Sequence, residues 1–63
     1  MAKVDEKVRF TDTKGTEPAV VTAVHADESI DVVTLGPLNQ RAGKRATLDE
    51  SEEPKPNTYR PVR

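Results

Sequence analysis

The stretch Pro18–Leu35, PAVVTAVHADESIDVVTL, decides the fold. It holds the densest run of β-branched residues in the chain: Val20, Val21, Thr22 and Val24, then Ile30, Val32, Val33 and Thr34, with Leu35 completing the run. Branching at Cβ stiffens χ1 and suits the pleated surface of a sheet. Asp27-Glu28-Ser29 interrupts the run at hairpin-loop length. Two β-prone arms around a polar loop read as an antiparallel hairpin.

The loop sets the register. With Asp27–Ser29 as the whole loop, Ala26 faces Ile30, Val24 faces Val32 and Thr22 faces Thr34. A loop shorter by one residue puts His25 on the face of Ile30 and Val32. The longer loop keeps His25 and Asp31 together on the wetter face, and it is preferred because a one-residue slip exchanges the faces of a whole strand. In this register Val24 and Val32 point to the core, while Val21, Val33 and Leu35 share the opposite face. That outer face is more apolar than a solvated sheet needs. Either the Leu38 loop or the C-terminal tail covers it, or a partner protein docks there.

On the N-terminal side, Met1–Asp5 is a polar lead whose one apolar contact is Val4. Lys7–Thr11 alternates, with Val8 and Phe10 on one face and Lys7, Arg9 and Thr11 on the other, the pattern of a half-buried strand. Asp12–Pro18 reads as a polar loop in which Gly15 supplies a positive φ and Pro18 opens the next strand. On the C-terminal side Gly36-Pro37 ends the hairpin. Leu38–Ala46 reads as a loop carrying Arg41, Lys44 and Arg45 without an acid, and Thr47-Leu48 as a short strand. An acidic run, Asp49–Glu53, leads into the polyproline-like connector Pro54-Lys55-Pro56. Thr58–Val62 returns to the body as a last strand through Tyr59 and Val62. No stretch carries a helical pattern and nothing repeats. Residues 1–63 therefore read as one all-β domain, a small SH3-like antiparallel barrel of four to five strands with a long central hairpin and a Pro-rich extended C-terminal segment, 54–63. Closure also disposes of the edges that a small open sheet leaves unpaired.

Composition bounds what such a domain can do. A chain of 63 residues buries only about 60% of its extended surface, so its stability is marginal. No Cys is present to staple it or to ligate a metal as thiolate, 33% of residues are hydrophobic and only Phe10 and Tyr59 are aromatic. A core this thin favours docking on a partner or self-association. Residues 1–35 carry four Lys/Arg against seven Asp/Glu, and 36–63 carry six against four, so −3 and +2 sum to the formal charge of −1. Neither half is charged enough to name nucleic acid or a membrane surface as partner. No apolar run approaches a membrane span and no signal-peptide core is visible, so the expectation is a soluble protein made in a cytoplasm.

Four segments together resemble a known group. Asp5-Glu6-Lys7-Val8-Arg9-Phe10, Pro18-Ala19-Val20-Val21-Thr22-Ala23-Val24, Ile30-Asp31-Val32 and Thr58-Tyr59-Arg60-Pro61 are similar to small tailed-bacteriophage proteins with an SH3-like barrel, encoded near head and tail genes. Members read as a "KV-F" strand, a "PAIVT-V" strand, a "V-N-L-V" strand and a closing aromatic followed by Pro. This chain has Asp31 where Asn is usual and Tyr59 where Trp is common. The resemblance implies a virion component on the capsid surface, with the major capsid protein or another virion protein as partner and self-association on the shell.

The candidate chemistries are few. His25, the only His, has Asp31 as its one plausible carboxylate neighbour and no evident nucleophile, so a surface His at a strand end is the reading preferred over catalysis. One His without Cys makes no metal site. Asp49–Glu53 lacks the spaced ligands and turn glycine of a calcium loop and reads as a solvated run. Arg41, Lys44 and Arg45 suit phosphates or an acidic protein surface, and nucleic acid would demand stacking aromatics as well. The reading is a non-enzymatic capsid decoration or cement subunit without cofactor, catalytic residue or metal. It docks through Val21, Val33, Leu35, Arg41, Lys44, Arg45, Tyr59 and Arg60. The alternative is a small nucleic-acid-binding or regulatory barrel of KOW type.

Overall fold

The computed structural model describes residues 2–62. Among them are five strands and no helix: β1 (Lys7–Asp12), β2 (Gly15–Val24), β3 (Ile30–Thr34), β4 (Gly43–Leu48) and β5 (Thr58–Pro61). Strands β1 to β4 pair in chain order, each antiparallel to the one before, and β5 closes the barrel between β4 and β1. β5 is antiparallel to β1 but parallel to β4, since the connection 49–57 carries the chain back along the barrel before β5 begins. The small SH3-like all-β barrel is therefore present, mixed in strand direction where a wholly antiparallel one was expected.

The interior is small and apolar. Val8, Phe10, Ala19, Val21, Ile30, Val32, Ala46 and Tyr59 form one buried cluster, with Ala2 packed against it. Strands β1, β2 and β3 contribute alternate residues, as the pleat requires, and β4 and β5 add Ala46 and Tyr59. The two aromatics meet across the closing seam, where Phe10 stands directly opposite Tyr59. Such cross-strand aromatic pairs add to the area they bury. Tyr59 is only 6% exposed, so it plugs the core.

The hairpin forms, in a different register. Val24 pairs with Ile30 and Ala23 with Asp31, then the register shifts, and Val21 pairs with Val32, Val20 with Val33 and Ala19 with Thr34. Thr22 is the extra residue of a β-bulge. A bulge changes the parity of everything beyond it, which is why Val21, expected outside, is fully buried. The loop is also longer than expected. His25 N–H donates to Ser29 O (2.9 Å), Glu28 takes a left-handed φ of 72°, and Asp27 Oδ1 accepts from both the Ser29 amide and its hydroxyl. Val24 shares the inward face with Ile30 but sits at the barrel mouth, 43% exposed, and is not the core residue the alternation suggested. The N-terminal lead secures this region, since Asp5 N–H donates to Val21 O and Val21 N–H donates to Glu6 O.

Two expected loops are largely strand. Asp12 pairs with Gly15 across a tight turn at Thr13-Lys14, and Lys14 N–H donates to Asp12 Oδ1 (2.8 Å). Gly15 supplies the positive φ (131°), and β2 runs through Pro18 in place of starting there. Likewise Gly43–Ala46 belongs to β4, so Lys44 and Arg45 lie in a strand. The remaining β3–β4 loop is clasped to the β1–β2 turn by Asn39. Its Nδ2 donates to Asp12 Oδ2 (2.8 Å) and Glu17 Oε2 (3.0 Å), with Asn39 and Glu17 both buried.

Candidate functional site

Strand pairing builds two rows across the outside of the barrel. One runs Arg60, Arg9, Pro18, and Leu35 extends it by donating its N–H to Pro18 O (2.9 Å). The other runs Lys7, Val20, Val33, Gly43. Directly opposed residues on a sheet share a face, so Pro18, Val20, Val33 and Leu35 form one continuous apolar patch. Pro18 is exposed, Val20 and Val33 are half-buried, and Leu35 is 40% exposed. None can reach the core, because Ala19, Val21, Val32 and Thr34 already fill the inward positions. The patch ends at Gly43, where an added Cβ would meet nothing within 4 Å. Its other end is cationic, bordered by Lys7, Arg9 and Arg60.

A polar cluster adjoins the patch on β3 and β4. Asp31 stands opposite Arg45, whose Nε donates to Asp31 Oδ1 (3.2 Å), while His25 Nε2 lies 3.0 Å from Asp31 Oδ2. Hydrogen bonds from His25 first, then Arg45, hold the Asp31 carboxyl below its ordinary range. Arg45 Nη2 also lies 3.2 Å from His25 Nε2. One ring nitrogen cannot donate to Asp31 and accept from Arg45 together, so the tautomer selects its partner. Asp31 is thus neutralised by its neighbours, and the cluster presents little free charge to a ligand.

The chain matches no family model, no curated protein and no solved structure. The chemistry of the face is therefore what speaks for its use.

Of the residues expected to contact a partner, Val33 and Leu35 lie on the outer patch. Val21 and Tyr59 do not, being buried in the core. Arg60 borders the patch, half-buried, its guanidinium donating to Ser51 O. The three cations read as one basic loop are dispersed: Arg41 sits on the exposed β3–β4 loop with φ 61°, Lys44 lies opposite Val32, and Arg45 is tied to Asp31. Pro18, Val20, Arg9, Lys7 and Gly43 were missed. Val20 takes the place assigned to Val21 because of the bulge, and Pro18 and Arg9 follow once β2 is known to begin at Gly15.

The acidic run is organised around one of its members. Asp49 Oδ1 accepts from Ser51 N–H (2.9 Å) and Oδ2 from Lys55 N–H (3.0 Å), while Asp49 N–H donates to Tyr59 O (3.0 Å). The side-chain bond from Ser51, followed by the backbone N–H donors of Lys55 and Ser51, lowers its pKa to about 2. Among the described residues no cluster of three or more His, Cys, Asp or Glu side chains is disposed to hold a metal.

Proposed function

We propose that this chain is a non-enzymatic virion structural protein, a capsid decoration or cement subunit that docks on the major capsid protein through the outer face of β2 and β3. The observation that carries the reading is the apolar patch of Pro18, Val20, Val33 and Leu35 on a barrel whose interior is already filled. Every strand has neighbours on both sides. A partner seated on this patch lies on a face of the sheet and adds no strand to an edge. The resemblance of the four strand segments to small tailed-phage barrel proteins supplies the context. In it, many copies sit on the capsid surface and add contacts between shell subunits. A thin core gains from this arrangement, because whatever binds only the folded state stabilises it.

The test is to separate a lysate producing the chain by density gradient and follow the protein with an antibody. It is expected to band with assembled shells, and to stay with them after nuclease treatment. Gly43→Gln extends a side chain over the patch without touching the core, and should reduce shell occupancy while leaving the melting temperature unchanged. Retention on DNA that weakens with rising salt, with no protein on the shells, would transfer the chain to the nucleic-acid-binding class.

A further inference from the structure

Resting on that docking face, we infer that the partner segment seated on it is acidic as well as apolar. Its hydrophobic side chains lie over Pro18, Val20, Val33 and Leu35, and its carboxylates lie against Arg9, Arg60 and Lys7. The geometry carries this through two cations set side by side at one end of the patch. Arg9 and Arg60 are directly opposed on β1 and β5, and like charges placed so are destabilising. They line one crevice with Pro61 and a single acid, Glu50. Arg60 is held in place by its bond to Ser51 O. Arg9 is exposed, and among the described residues no hydrogen bond or ion pair occupies its guanidinium. Lys7, also exposed, lies two residues along the same strand and on the same side.

The charge is one-sided. At the other end of the patch Asp31 is already matched by Arg45 and His25, and Gly43 leaves open space. Complementarity therefore orients the partner, with its acidic end toward β1 and β5 and its uncharged end over Gly43. Guanidiniums donate to carboxylates in planar, bidentate fashion, so a neighbouring pair adds geometric selection to the charge. A protein segment fits better than a nucleic acid. Phosphates suit the cations but bases need stacking surfaces, and both aromatics, Phe10 and Tyr59, are buried in the core.

The test uses defined probes and isotope-labelled protein, with backbone amide shifts followed by NMR. The probes are a synthetic peptide of leucines followed by aspartates, the same peptide with lysines replacing the aspartates, and an oligothymidine. The aspartate peptide is expected to move the amides of Arg9, Val20, Val33 and Leu35 and to bind roughly fivefold more tightly than the lysine peptide. Arg9→Gln, at an exposed side chain without a partner, should keep the spectrum of the fold and remove most of that preference. Equal affinity for the two peptides, absence of shifts on this face, or a preference that survives Arg9→Gln would overturn the inference. So would tighter binding of oligothymidine, which would give the face to nucleic acid. Banding with shells is measured separately, so a failure there rejects the virion reading without touching the peptide result.

Discussion

At the scale of single residues, the most constrained site is the clasp around Glu17. Its carboxylate is buried, takes one bond from Asn39, and has its Oε1 against Gly36. A Cβ at Gly36 would stand 2.9 Å from both Glu17 Cβ and Oε1, closer than real atoms approach. Gly36→Ala should therefore cost about 1–3 kcal/mol through overpacking, read as a lowered melting temperature. Gly43→Ala, which meets nothing, should melt within error of wild type. Asn39→Leu removes the only side-chain donor to Glu17 among the described residues and should cost about 1–3 kcal/mol. Asp49 makes a pH-dependent contribution. The folded state holds its carboxyl at about 2, below the ordinary 3.8, so its stabilisation is complete at neutral pH and is withdrawn as pH falls from 3.8 toward 2. At Asp12 desolvation pushes the pKa up, but the Asn39 amide, the Lys14 N–H and the charges of Lys14 and Lys44 outweigh it and lower the value, so its contribution is lost in the same acid direction. Asp49→Ala should flatten the acid limb of the stability curve and speed hydrogen exchange at the Ser51 and Lys55 amides. An unchanged acid limb would remove Asp49 from the account.

At the scale of elements, the bulge at Thr22 decides which valines matter. Val32→Ala and Val21→Ala each remove fully buried methyls and should cost about 1–3 kcal/mol. Val24→Ala, at the exposed mouth, and Val20→Ala, on the outer face, should each cost distinctly less. Equal losses at Val20 and Val21, measured by denaturant melts with unchanged slope, would restore the unbulged register. The strands themselves were legible because alternation at Val8 and Phe10 and β-branching at Val20–Val24 and Ile30–Thr34 are local signals. The closing strand was legible from Tyr59, whereas Val62, expected to return with it, lies beyond the strand end at Pro61 and is exposed. The bulge was not, because no local pattern marks it: Val20, Val21 and Thr22 are all β-branched, and the contacts around it, Thr22 Oγ1 donating to Asp31 O and the lead bonding Val21 through Asp5 and Glu6, appear only in three dimensions. The parity error then placed Val21 on the docking face in place of Val20. The basic loop was misread for a similar reason. Lys44 and Arg45 look like loop cations in sequence, and only pairing with Val32 and Asp31 shows them to be strand.

At the scale of the whole molecule, the closed barrel carries an apolar, cation-bordered face on β2 and β3, distinct from the exposed Val24 and Leu48 at the barrel mouth, and the account rests on that face meeting a shell protein. Burial there gains roughly 25 cal/mol per Å² of apolar surface before the costs of association, so a patch of four side chains must be helped by charge or by many copies. The most direct test is a paired measurement on Val33→Lys, thermal melting of the free protein and occupancy on purified shells. Val33 points away from Ile30 and Val32, so the account predicts a small change in melting temperature and a large loss of occupancy. A large fall in melting temperature, with the surviving folded protein binding shells as wild type does, would contradict it.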